Sequence, residues 1–195
     1  MSIITDPDAL DRADMERLAA GNDAALNDLM ERHATPVFHF LCRMVGNEDD
    51  ANDLAQETFV RVFKSCKSFR AEQKFSTWLF TIAANLARNH FRWRARHPAI
   101  SLDAENPETE QSLGSTLPAK SPAPNEATLT SERAAAVRAA VQNLPEDLRE
   151  AVVLCEWEER SVAEAATILE ATPKAVESRL YRARQILRER LKSWL

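Results

Sequence analysis

Asn85, Arg88, Arg92 and Arg96 recur at three- and four-residue spacing within FSTWLFTIAANLARNHFRWRAR, Phe75 to Arg96. On a helix, at about 100° per residue, they gather on one face, roughly 100° away from a stripe of Phe75, Leu79, Ile82, Leu86 and Trp93. The apolar stripe is expected to pack inward. A row of guanidinium groups suits a phosphate backbone, because each can offer a bidentate fork to an anionic oxygen. Immediately upstream, Phe69-Arg70-Ala71-Glu72-Gln73-Lys74-Phe75 reads as a polar turn bracketed by rings. Unpaired bases stack on aromatic side chains for roughly 1–3 kcal/mol per base. Duplex DNA exposes no base faces, so basic and aromatic residues together point to single-stranded or locally opened nucleic acid. Taken singly, Phe75 and Trp78 read as core residues; the inference rests on the arrangement.

Other chemistries find little support. His33, His39, His90 and His97 form no HExxH or other metal spacing, and no glycine-rich phosphate loop occurs. His39 and Cys42 lie three apart, a pairing that packing accounts for. Cys42, Cys66 and Cys155 are far apart, odd in number and without a CxxC pair, so they read as buried thiols. No cofactor or metal is expected, and the chain is not expected to be an enzyme. No apolar run approaches the roughly 18–20 residues of a membrane span. The N-terminal stretch is acidic rather than signal-like, so a cytoplasmic protein is expected.

Charge is segregated although the total is only −5. Residues 1–60 hold 4 basic and 13 acidic side chains, whereas residues 61–100 hold 9 and 1. Residues 101–135 are acidic again, with 2 and 6, and residues 136–195 balance at 10 and 10. Such segregation suits a polyanion-binding surface beside an acidic surface meant for another partner. The acidic surface has a candidate in DDANDLAQETFVRVF, where Leu54, Thr58, Val62, Phe59, Phe63 and Val60 spread over too wide an arc for one bundle core. Asp53, Gln56 and Glu57 edge that arc, giving an apolar patch with an acidic rim, the composition of a protein-binding surface.

The elements that must carry these groups are helical. Three glycines, set against abundant Ala, Leu, Glu and Arg, favour helices over a strand-and-turn fold. Asp23 is expected to cap a helix to about Val45, with Leu26, Leu29, Met30, Val37, Phe40, Leu41 and Met44 as core and Pro36 kinking or splitting it near Ala34. Gly46 ends it, and Asn47 caps the next, to about Ser65. Residues 98–130, with five of the nine prolines, read as an acidic linker between two helical domains, 1–97 and 131–195. The second should hold helices at about 131–143, 145–156, 162–169 and 173–193, the last two forming a helix-turn-helix. The fold class is all-α.

DDANDLAQETFVRVF, SFRAEQKFSTWLFTIAANLARNHFRWRAR, LPEDLREAVVL and AVESRLYRAR together resemble the bacterial sigma factors of the extracytoplasmic-function group, over nearly all of residues 20–193. The resemblance implies two DNA-binding domains, a linker running along the polymerase cleft, and three partners: core RNA polymerase, promoter DNA and an anti-sigma factor. It places Asp53, Gln56, Glu57, Phe59 and Phe63 on the polymerase. It gives Phe69, Arg70, Glu72 and Lys74 to a loop capturing a base flipped from the minus-ten element, with Trp78 supporting the loop from beneath. Asn85 falls near the upstream edge of the melted region, with Arg88, Arg92 and Arg96 on phosphates. In the second domain it nominates Lys174, Glu177, Ser178, Arg179 and Arg182 for the minus-thirty-five duplex, with Val176, Leu180 and Leu187 facing the core. This sequence has Ala71, Glu170 and Glu177 where relatives often carry Gly, Gly and Arg.

Overall fold

The computed structural model describes residues 6–97 and 126–194, with side chains in the second stretch from residue 132 onward. Every regular element among the described residues is helical. The first lobe comprises α1 (Pro7–Ala19), α2 (Ala24–Val45), α3 (Glu48–Ser65), a short 3₁₀ turn (Cys66–Ser68) and α4 (Phe75–Arg96). The second comprises α5 (Glu126–Gln142), α6 (Glu146–Val152) running into a π turn (Val153–Trp157), α7 (Val162–Ile168) and α8 (Pro173–Arg190), with a final 3₁₀ turn (Lys192–Trp194). Of the expected linker, 98–125 lies outside the described residues. Residues 126–130, expected to belong to the linker, instead begin α5.

Local chemistry sets most boundaries. Asn47 accepts from the Asp50 amide at 2.9 Å and opens α3, whose first turn carries Glu48, Asp49 and Asp50. Thr172 caps α8, with Pro173 in its first turn. Ser161 and Glu164 close a reciprocal capping box at the start of α7. Asp6 caps α1 through its side chain, ahead of Pro7. Asp23 sits at the start of α2 but makes no capping bond with its side chain, because its own backbone is already helical. Pro36 neither splits nor ends α2. The helix runs through it, and one turn later Phe40 meets Phe80 edge-on at 5.3 Å, so packing outweighs the lost backbone bond.

The core of the first lobe gathers Met15, Leu18, Leu29, Val37, Phe40, Leu41, Met44, Phe59, Val62, Phe75, Leu79 and Phe80. Met30, expected inside, is exposed on the outer side of α2. Trp93 is 56% exposed and stacks on His97 at 4.9 Å instead of joining the core. It lies beyond Leu86, the last buried apolar residue of that stripe. In the second lobe Leu148, Val152, Leu154, Ile168, Val176 and Leu180 are buried, and Leu187 packs partly against them.

The two lobes share one contiguous core. Arg149, on α6, donates to the carbonyls of Met44 at 2.5 Å and Leu144 at 3.1 Å and to that of Gln142, stitching the end of α2 to the α5–α6 junction. A guanidinium there meets the negative ends of two helices. Gln142 donates to the carbonyls of Arg43 at 2.6 Å and Cys42 at 3.3 Å. It can approach because Gly46, left-handed at φ 78°, has no side chain; a Cβ would lie 2.7 Å from Gln142 Oε1. Gly46→Ala should therefore lower stability by about 1–2 kcal/mol from the left-handed backbone alone. Calorimetry of Gly46→Ala, Gln142→Ala and the double variant should show less than additive loss, since the two changes break one contact.

Candidate nucleic-acid interface

α3 presents its predicted edge to solvent. Asp53 and Gln56 are exposed, Glu57 is half-buried and bonded to Arg61 at 2.9 Å, and Val60 and Phe63 stand out, the latter 42% exposed. These five fall on one stripe at i, i+3, i+4, i+7 and i+10, the periodicity of a helix face. Phe59, expected among them, is a correction: it is 4% exposed and faces inward with Ala55, Thr58 and Val62. One helical position separates Phe59 from Val60, and that rotation carries it from the patch to the core.

The turn between the 3₁₀ element and α4 leaves Arg70, Ala71, Glu72 and Lys74 exposed. Phe69 meets Trp78 at 5.3 Å and Phe75 at 6.0 Å, and Phe75 meets Trp78 at 6.1 Å. Phe75 is buried, while Phe69 and Trp78 are half-buried. The Trp78 ring packs against both rings that flank the turn. Between α3 and α4, Arg61, Lys64, Ser65, Ile82 and Asn85 line a groove of about 370 Å³. Arg61 and Lys64 went unnoticed in the sequence because they sit on the helix read for its acidic face.

The arginine row is divided. Arg92 and Arg96 are exposed, their Nε atoms donating to the carbonyls of Arg88 and Arg92 one turn back. Arg88, expected free, is occupied: its Nε donates to Glu150 Oε1 at 2.7 Å, while NH1 donates to Asn85 at 2.7 Å. Lys74 donates to Glu164 on α7 at 3.0 Å, with Asp8 of α1 at 3.8 Å. Arg160 reaches back to Ser76 at 3.0 Å, its guanidinium 4.5 Å from the Phe80 ring centre. Arg43 pairs with Glu158 at 3.2 Å. Asn85 apart, no local pattern announces these side-chain partners, since each lies at least 62 residues away.

Burial sets the protonation behaviour of this seam. Burial pushes the Glu150 carboxyl above its ordinary value, with Arg88 pulling the other way, and Glu158 is raised for the same reason against Arg43 and Arg160. Glu164 is the opposite case: bonds from Ser161, and then Lys74, hold it at about 2 despite some burial.

In the helix-turn-helix, α7 and α8 are joined through Glu170, whose backbone is left-handed at φ 51°. Lys174, Glu177, Ser178 and Arg182 are exposed on α8. Arg179 is half-buried, 3.7 Å from Asp147. Val176 and Leu180 face inward as expected.

Among described residues, no helix is long and apolar enough to cross a membrane, and no group of three metal-ligating side chains occurs. The family model for sigma-70 region 2 matches residues 29–97, and that for sigma-70 region 4 matches residues 134–187. RNA polymerase sigma-H factor of Pseudomonas aeruginosa is 33% identical, over 93% of both chains. SigW, an extracytoplasmic-function sigma factor of Bacillus subtilis, is 32% identical over 91% of this chain and 95% of its own. The solved structure of CnrH with the cytosolic domain of CnrY superposes with a TM-score of 0.69 at 27% identity, covering 94% of this chain and 98% of that one.

Glu150→Gln keeps an oxygen to accept from Arg88 and removes a charge that burial disfavours, so it should leave the lobes together. Glu150→Lys, placing like charge against Arg88, should part them, and adding Arg88→Glu should bring them back. Fluorescence energy transfer between dyes on the two lobes reads all three. From pH 7 towards pH 5, Glu150 and Glu158 should favour the closed arrangement. Their raised carboxyls contribute stability below the unfolded pKa, and lose it as pH rises through the folded one.

Proposed function

Since the chain belongs to the extracytoplasmic-function group of the sigma-70 family, we propose that it binds core RNA polymerase and directs it to a two-part promoter. The single observation carrying this reading is that one lobe offers two unlike faces. The α3 stripe of Asp53, Gln56, Glu57, Val60 and Phe63 is apolar with an acidic rim and suits a protein surface. The turn at 69–75, flanked by rings, and the α4 row are basic, and suit a bared strand.

On this reading the polymerase docks on α3. The exposed turn takes one base of the minus-ten element out of the stack, walled by Phe69, Arg70, Glu72 and Lys74 over Trp78. Arg92, Arg96 and, once released, Arg88 hold phosphates beside Asn85. Flipping a base costs a few kcal/mol, offset by its pocket and by the wider contacts of the holoenzyme. Melting needs no bond chemistry from this chain; phosphodiester formation belongs to the polymerase, and we assign the chain no catalytic role and the cytoplasm as its compartment. In the second lobe, Lys174, Glu177, Ser178, Arg179 and Arg182 read the minus-thirty-five duplex from α8.

Arg88 and Lys74 cannot serve the strand while Glu150 and Glu164 hold them. The lobes must therefore part before the promoter opens. A protein inhibitor of the anti-sigma kind fits this arrangement, because holding the lobes together would keep both residues occupied. The Bartonella quintana RpoE, of the same fold at a TM-score of 0.63, was solved with the anti-sigma factor NepR.

Run-off transcription with core polymerase, this protein and a promoter library should yield sequence-dependent starts; uniform or absent initiation defeats the proposal. Arg88→Ala with Arg92→Ala should slow open-complex formation by about tenfold or more, as removal of phosphate contacts does. Association with core polymerase should stay within about twofold. Equal loss of both would remove the division between the faces.

A further inference from the structure

α1 precedes residue 29, where the region 2 match begins, and it buries charge where an apolar helix would suffice. Met15 and Leu18 already anchor it in the core. Yet Asp11, 2% exposed, and Asp14 are buried beside them. Asp11 faces two neighbours on α2: Arg32 Nε donates to its Oδ1 at 2.9 Å, and His33 Nε2 lies 2.7 Å from its Oδ2. Asp14 takes a second Arg32 nitrogen at 2.5 Å and Arg17 at 2.7 Å. Burial works against ionised Asp11, but His33 and then Arg32 outweigh it, so its carboxyl titrates below the ordinary range. α1 is already held to α2 by Arg32 on both aspartates, by Arg17 on Asp28 at 3.1 Å and by the buried Met15 and Leu18. His33 is an additional partner, and its other face explains why.

The His33 ring meets Phe75 edge-to-face, with centres 5.1 Å apart and planes at 62°. Phe75 touches Phe69 and Trp78, which touch each other. A continuous path therefore runs from a buried carboxylate on α1, through one imidazole, to the rings at both ends of the exposed turn. Asp8, one turn earlier on α1, points at Lys74 in the same turn. The carboxylate fixes which imidazole nitrogen carries the proton and the tilt of the ring. The His33 ring is thereby presented edge-on to Phe75, one of the contacts that surround this buried ring.

We propose that Asp11 and His33 are positioning residues for base capture, holding the 69–75 turn through the Phe75 ring so that its pocket is formed before a base arrives. This rests on the base-capturing role given above to that turn. Preformed pockets must be held to about 0.5 Å, and a misplacement of about 1 Å can cost a hundredfold. Loosening His33 should therefore weaken capture of the flipped base while leaving the α3 stripe, which shares no hydrogen bond or ring contact with His33, to bind polymerase as before.

The test uses holoenzyme assembled from core polymerase and the full chain, and fluorescent single strands carrying a minus-ten sequence selected by the wild type. An abasic residue is walked along the strand. With wild type, one position should stand out, marking the captured base. His33→Leu, which keeps bulk but loses both the ring edge and the bond to Asp11, should weaken binding of the intact strand about 10-fold or more. On the strand abasic at that position it should match wild type within about twofold. Asp11→Asn, with Arg32 and Asp14 still holding α1, should move the same way by less, and it carries the test if His33→Leu does not fold. Equal losses on both strands would mean a role in folding alone and overturn the proposal, as would no loss on either. If wild type shows no sensitive position, the base-capturing role itself falls, and that outcome is distinct from a failure of the variants.

Discussion

Arg88 donates to Glu150 across the lobe boundary at 2.7 Å, and the role proposed for the basic face depends on whether that bond is made. It cannot be held at full strength together with a phosphate on the same guanidinium edge. Around it the seam repeats one theme: cations of Arg43, Lys74 and Arg160 cross from one lobe to acceptors or rings of the other. Charged seams differ from apolar ones in what separation costs. Each parted group regains water, so much of the lost attraction is returned by hydration. The apolar contacts of the shared core must be given up as well, so parting calls for a partner that covers them.

The first lobe separates its tasks by helix rather than by region. α3 spends one face on the core through Ala55, Thr58, Phe59 and Val62 and offers the other to solvent. α4 does the same with Phe75, Leu79 and Phe80 inside and Arg92 and Arg96 outside. Between them the 69–75 turn is flanked by three touching rings. A side chain in the turn therefore sits beside packed rings, and rigidity at the contact point comes from aromatic area rather than from regular backbone.

Much of this was legible locally. Asn47, Gly46 and Pro173 mark helix ends by short-range chemistry, and the periodicity of α3, α4 and α8 assigned most inward and outward faces. Ser161 with Glu164 was an unread local signal, as were the Thr172 cap and Asp6-Pro7 at the start of α1. Periodicity misplaced Phe59 and Trp93 for opposite reasons. The first lies one position from a true surface stripe; the second continues a buried stripe past the end of its cover. Glu150, Glu164 and Arg160 were out of reach in principle, because their partners are set by how the lobes dock. The His33–Phe75 contact, 42 residues apart in the chain, belongs with them.

Glu170 gives the duplex-reading lobe an unusual character. A non-glycine residue in a left-handed turn is strained, and this one also sets a carboxylate at the hinge between the two helices of the motif. Phosphates approaching that corner meet repulsion, and over residues 136–195 the basic side chains, those of α8 included, are matched in number by acidic ones. Alone, such a lobe would dwell briefly on DNA of any sequence. Tethered to a first lobe already seated nearby, it faces its target at high effective concentration, and modest intrinsic affinity is enough. Occupancy then comes from avidity, and stray sites lacking one half are released quickly.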